Sequence, residues 1–302
     1  MTGRIPARVA KFVAALLAST AVVAIAAGAA SAKQVLYNNI PSTLPGSMYT
    51  VGNEAFKIDE YGGAIGVPHS IKNPTVTVIM SSKACEIGSQ QADSCETPKP
   101  KKTVKIPVTL RMYSTVAGFP TGAAGVGAEL GKVTTEIKMP YRPSSNDKKC
   151  NELFGPGHVA TWYDEGQNKC FHGMAFAVKF KLPGLIGPIS QSHPSVIVNI
   201  SYNSTNHGPT PEGPQACSTS FAGCPYDLLD VAITETAENN LTVGTQPTGY
   251  FYMKTANPEF ISPGEPTLKE ECLGTPIGVS NVFSPNNCLG TMHMQPVMRL
   301  EA

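Results

Sequence analysis

Beyond residue 32 the chain repeatedly alternates apolar and polar residues with a period of two, the spacing of a strand that turns one face to a core and the other to water. The clearest stretch is TVKIPVTLRMY, where Val104, Ile106, Val108, Leu110 and Met112 share one face and Lys105, Thr109 and Arg111 share the other. Pro107 falls in the outward set and has no N–H for a ladder bond, which predicts an edge strand or a bulge. The same alternation runs through TVTVIMSS (Val76, Val78, Met80), MAFAVKFKL (Phe176, Val178, Phe180 and Leu182 against Lys179 and Lys181) and SVIVNISY (Val196, Val198, Ile200, Tyr202). It recurs in LLDVAI (Leu229, Val231, Ile233) and MHMQPVMRL (Met292, Met294, Met298, Leu300), while KVTTEIKM is β-branched and partly alternating.

Strands apolar on one side suit two antiparallel sheets packed face to face with their outer faces in water. Helical periodicity of any length is missing from the same region, and most of the 26 prolines and 28 glycines lie between the runs. The expectation is an all-β, antiparallel β-sandwich of roughly eight to ten strands, jelly-roll-like first and immunoglobulin-like second. No repeat of fixed period occurs, and the Pro/Gly-rich stretch from Asn203 to Gly223 reads as a long loop rather than a linker. Residues 33–302 are therefore expected to form a single sandwich domain.

The first residues change the picture. Arg4, Arg8 and Lys11 precede an apolar run that ends in Ala30-Ser31-Ala32, the layout of a signal peptide cleaved before Lys33. Residues 1–32 are then a signal peptide, and the mature chain is secreted or held at the cell surface with no membrane span of its own. All eight cysteines, Cys85, Cys95, Cys150, Cys170, Cys217, Cys224, Cys272 and Cys288, lie beyond that point, so they read as four disulfides. Roughly a hundred pairings are formally open. Sequential pairing is favoured, 85 with 95, 150 with 170, 217 with 224 and 272 with 288, because each pair brackets a stretch too rich in turn residues to order itself by packing. Each short loop so closed gains about 2 to 3 kcal/mol.

The net charge of +1 supplies no bulk field for nucleic acid or an anionic membrane. The basic run KPKKTVK leads into a strand pattern and contains Pro100, which suits a solvated strand entrance. No C-x-x-C pair or HExxH spacing is present, so no metal and no cofactor is expected. The glycine-rich TGAAGVGAELGK fails the phosphate-loop spacing and reads as a flexible hairpin connection. No G-x-S-x-G elbow occurs, and a triad assembled in space leaves no sequence trace.

Chemistry-bearing residue types concentrate in WYDEGQNKCFHG, Trp162 to Gly173, which holds the chain's single tryptophan. His158, Asp164 and His172 match no metal spacing, and Asp164 and Glu165, as neighbours in an extended segment, point to opposite sides. The stretch reads first as a disulfide-pinned loop, with Trp162 and Phe171 covering the Cys150–Cys170 bond and DEGQN forming a polar turn. The alternative is that Trp162 and Tyr163 contact a ligand, a glycan or another cell-surface molecule, by ring stacking.

The strings YNNIPSTLPG, TVTVIMSSKAC, MPYRPS, WYD, CFHGMAFAV, ISYNSTNHGP and YDLLDVAI, in that order, resemble a family of secreted bacterial β-rich proteins of uncharacterised activity. The resemblance covers most of the chain beyond residue 32 and implies no functional residue. Before the last strand, where that pattern has a small residue, Leu and Asn, this chain has Leu228, Leu229 and Asp230. The expected function is an exported, non-catalytic binding module. A secreted hydrolase with a spatially assembled site and a structural envelope protein are the alternatives.

Overall fold

The structure, a computed structural model, describes residues 33–53, 58–88, 94–99, 102–117, 124–204, 228–234, 241–246, 251–255, 268–271 and 294–302. Their strands are β1 (Val35–Asn38), β2 (Thr50–Val51), β3 (Ile58–Gly66), β4 (Ile71–Lys72), β5 (Thr75–Ser82), β6 (Thr103–Ala117), β7 (Ala124–Pro140) and β8 (Trp162–Asp164). Then follow β9 (Lys169–Phe171), β10 (Met174–Lys181), β11 (Leu185–Ile186), β12 (Ser195–Tyr202), β13 (Leu229–Ala232), β14 (Phe251–Thr255), β15 (Leu268–Glu271) and β16 (Met298–Glu301). One helix, α1 (Asp147–Phe154), interrupts them, and all described residues belong to one compact unit, Lys33–Ala302.

Every strand pairing is antiparallel, as the alternating runs predicted. One six-stranded sheet runs β15-β14-β3-β12-β6-β7. The other is built around β5: β10 pairs along one edge, and β16 and then β13 share the opposite edge, continuing to β1 and β2. One core cluster takes Val76, Val78 and Met80 of β5, Val178 and Phe180 of β10, and Met298 and Leu300 of β16 from the second sheet. From the first sheet it takes Ile106, Val108, Leu110 and Met112 of β6, Val196, Val198 and Ile200 of β12, and Phe251 and Met253 of β14. The two sheets thus share one apolar interior, which supplies the main burial term of the fold.

Four expectations change. First, the central strands are not wet on their outer faces: β5 is buried throughout and β12 from Ser195 to Ile200. Smaller apolar clusters occupy those faces. Ile79, Ala232 and Val297 gather with Ile40, Leu44 and Met48, while Tyr113, Ile197 and Tyr252 gather with Ala64. Second, β6 is an interior strand between β12 and β7 rather than an edge. Pro107 is tolerated because pairing with β12 reaches only Val108, leaving that side of Pro107 open. Third, GAELGK lies within β7, not in a flexible connection. Its Gly131 is there for close approach, since a Cβ would come within 2.6 Å of the Ile186 side chain, a packing use of strand glycine.

The fourth change is α1, which the sequence reading did not foresee. Asn146 caps it by accepting from the Lys149 amide at 3.4 Å, and Asp147 sits in its first turn, where an acid complements the helix dipole. Its buried residue, Cys150, bonds to Cys170, and Cys85 bonds to Cys95, with Cα separations of 6.0 and 5.3 Å. These are two of the sequential pairs. Cys217, Cys224, Cys272 and Cys288 lie outside the described residues, as do the signal segment and most of the loop from Asn203 to Gly223. No helix among the described residues is long and apolar enough to cross a membrane.

Candidate functional site

The segment richest in chemistry folds as the hairpin β8–β9, with a turn over Glu165–Asn168. Asp164 organises that turn: its Oδ1 accepts from the Gly166 and Gln167 amides at 2.8 and 3.3 Å, and Asn168 takes φ 50°, a left-handed conformation to which Asn is well suited. The carboxylate is therefore spent on the loop rather than offered to a substrate. The Cys150–Cys170 bond pins the hairpin to α1.

Strand alternation sends Trp162 and Tyr163 to opposite faces. Trp162 is 8 % exposed, its Nε1 donates to the Gly173 carbonyl at 2.8 Å, and its ring centroid lies 5.6 Å from that of Phe171. It backs the hairpin and keeps no open ring face for stacking. Tyr163 is half-buried on the other side, its hydroxyl donating to Asn168 Oδ1 and its ring 3.9 Å below the Lys149 ammonium. The two residues named as a candidate ligand pair are thus not brought onto one surface.

Behind the hairpin lies Arg142, fully buried. Its Nη1 donates to the carbonyls of Ala160 and His172 at 2.6 and 2.7 Å, its Nη2 to Ser145 Oγ at 2.7 Å and its Nε to the Pro143 carbonyl at 3.1 Å. One guanidinium thus ties the segment before β8 to the segment after β9. Five donors in a fixed planar fork make arginine suited to such a hub. The His172 ring, on the far side, bonds the Ala160 backbone. Burial, reinforced by the Arg142 and Lys83 charges, holds its imidazole below the ordinary histidine range.

The hairpin's exit forms one wall of a cleft of about 860 Å³. Gln167, Lys169, Cys170, Phe171, His172 and Gly173 line it from the hairpin; Pro45, Ser47, Met48, Tyr49 and Thr50 line it from the loop before β2, which touches the hairpin at Gly46; Ser81, Lys83, Ile233 and Thr234 complete it. Tyr49 is 65 % exposed. Gly173 allows the hairpin to pass over the floor, because a Cβ there would come within 2.2 Å of Ser81 Oγ. Beneath the floor Asp230, fully buried, accepts from Thr50 Oγ1 at 2.6 Å and pairs with Lys83 Nζ at 2.6 Å, both through Oδ2. Its Oδ1 and the Ser81 hydroxyl have no hydrogen-bond partner.

These facts bound what the cleft can do. A serine nucleophile needs a base within hydrogen-bond reach, and the buried Ser81 hydroxyl has none. Among the described residues no three of His, Cys, Asp and Glu converge as metal ligands. What the cleft offers is an exposed aromatic ring, a second ring in its lining, and hydroxyl, amide and ammonium groups beside them.

A second polar cluster lies on the outer face of the β3-containing sheet. Glu60, its side chain 3 % exposed, meets Arg111 Nη1 at 3.0 Å, accepts from the Tyr113 hydroxyl at 2.8 Å and lies 3.8 Å from Lys254 Nζ. It is a network joining β3, β6, β14 and, through Asn199, β12.

Sequence reasoning found the hairpin's disulfide and missed Tyr49, Ser81, Lys83 and Asp230. Asp230 carried a signal: it is a charge inside the apolar run LLDVAI, where it stands between buried Leu229 and Val231. Tyr49 carried none, since its exposure depends on the path of the loop before β2. Comparison with known proteins finds no matching family model, no similar curated protein and no similar solved structure.

Proposed function

We propose that the chain is an exported, non-catalytic binding module whose ligand is a glycan seated in the cleft between the Pro45–Thr50 loop and the exit of the β8–β9 hairpin. The observation that carries this is that the exposed Tyr49 ring and Phe171 both line a polar-floored cleft of about 860 Å³. Aromatic rings cover the apolar faces of sugar rings while neighbouring polar groups fix orientation. The two disulfides support an oxidising compartment, and the charged, then apolar start of the chain supports export with cleavage after Ala32. Trp162 acts from beneath, by holding Phe171 and Gly173 in place. The partnerless Ser81 hydroxyl favours binding over hydrolysis.

A screen of the oxidised protein against immobilised neutral and acidic glycans tests this reading. Saturable binding to at least one glycan class, abolished by Tyr49→Ala, is expected. Binding to none, or release of reducing sugar from a bound glycan, overturns it.

A further inference from the structure

We infer that the cleft selects a carboxylated glycan, a uronate-bearing oligosaccharide, over its neutral counterpart; this rests on the proposed binding role of the same cleft. Lys83, Lys169 and His172 line the walls, and no carboxylate does. The chain as a whole carries a net charge of only +1, so any attraction comes from the cleft's own lining, where Lys169 is the cation with no acidic partner among the described residues.

The nearby acids are each turned away or committed. Asp164 accepts from the amides of its own turn through Oδ1 and from the Gln167 side chain through Oδ2, which lies beside Gly46. Glu165 points to solvent, 84 % exposed, and pairs with Lys149 on the outer side of the hairpin. Asp230 lies buried under the floor, where it holds Lys83 and Thr50. It offsets part of the Lys83 charge and leaves Lys169, exposed at the rim and in no ion pair among the described residues, as the main charged contact. Arg142, buried behind His172, adds positive potential from within, and its field and that of Lys83 reach the His172 ring, opposed in part by that of Asp147. A ligand carboxylate at the rim would therefore meet one open ammonium, that of Lys169, with the Asp230-paired Lys83 and the His172 ring further in. A neutral sugar would meet the same rings and hydroxyls without the Coulomb attraction, which is felt within about 10 Å at ordinary ionic strength.

The test is titration calorimetry of the oxidised protein with an oligogalacturonate and with the same oligosaccharide after carboxyl reduction. The expected result is at least ten-fold tighter binding of the acid form, weakening as sodium chloride is raised. Lys169→Gln should reduce that preference, and Lys169→Glu should remove it, with melting temperatures unchanged because the side chain is exposed. Equal affinity for the two forms, or a preference that survives Lys169→Glu, overturns charge selection while leaving glycan binding standing. Failure of both forms to bind, with every other glycan also failing, overturns the binding role itself.

Discussion

Arg142 shows how little a single residue's sequence context reveals of its burial. It sits in MPYRPS between two prolines, a setting that reads as loop, yet it is fully buried. Its partners, Ala160 and His172, are 18 and 30 residues away, so nothing local predicts it. Arg142→Ala would leave the His172 carbonyl without this donor and take one of two from the Ala160 carbonyl, which the His172 ring also bonds, at about 1 to 3 kcal/mol for a buried group left unpaired. The expected loss is about 3 kcal/mol or more in urea unfolding, well beyond that of a typical surface change. A loss under about 1 kcal/mol would show that the hub does not organise the hairpin. Trp162 is expected from the sequence to cover the Cys150–Cys170 bond with Phe171; the structure buries it beside Phe171 and bonds it to the Gly173 carbonyl, whereas the alternative of an open stacking ring needs an exposure that sequence does not encode.

Among the elements, the β8–β9 hairpin depends on three ties: the disulfide, Arg142 and the Trp162 bond to Gly173. Replacing Cys150 and Cys170 together by serine should cost about 3 kcal/mol, read as a lower denaturation midpoint, with both cysteines changed so that no free thiol remains. His172 adds a pH dependence. Its folded-state proton affinity is lowered, chiefly by burial and next by Arg142 and Lys83, while the unfolded chain takes up the proton near pH ~6.5. Between the lowered folded value and that pH the unfolded state binds more protons. This contribution to stability is thus complete above pH ~6.5, declines as pH falls towards the folded value and then levels off. Melting curves from pH 8 to 5 should fall less steeply for His172→Gln than for the parent; identical slopes would remove His172 as the cause. On the other sheet, Glu60→Ala removes the buried carboxylate that Arg111, Tyr113 and Lys254 share, while Arg111 keeps Glu129 and Ser201, and should cost about 1 to 3 kcal/mol. Helix α1 escaped sequence reading because its pattern is short and polar, with one buried residue; the SNDKKCNELFG cap signals were present but no apolar stripe marked them.

At the scale of the whole molecule, the antiparallel all-β character was legible because period two is written into β5, β6, β10 and β12, though not into the glycine-containing β3. The double burial of β5 and β12 was not, since the residues that cover their outer faces, such as Ile40, Leu44 and Met48, come from distant segments with no periodic signal. Export belongs to this scale too. Terminal sequencing of secreted protein should find a start at or within a few residues of Lys33, and recovery of the uncleaved chain from membranes would contradict it. The location of the cleft likewise emerges only when loop, floor strand and hairpin are assembled. The most direct measurement is a paired one: glycan affinity and melting temperature on Tyr49→Ala and Trp162→Phe. Tyr49→Ala should lose at least ten-fold in affinity at an unchanged melting temperature, and Trp162→Phe, which deletes the bond to Gly173, should lose about 1 to 3 kcal/mol of stability. Full affinity in Tyr49→Ala, with the loss falling instead on a stably folded Trp162→Phe, would contradict the account.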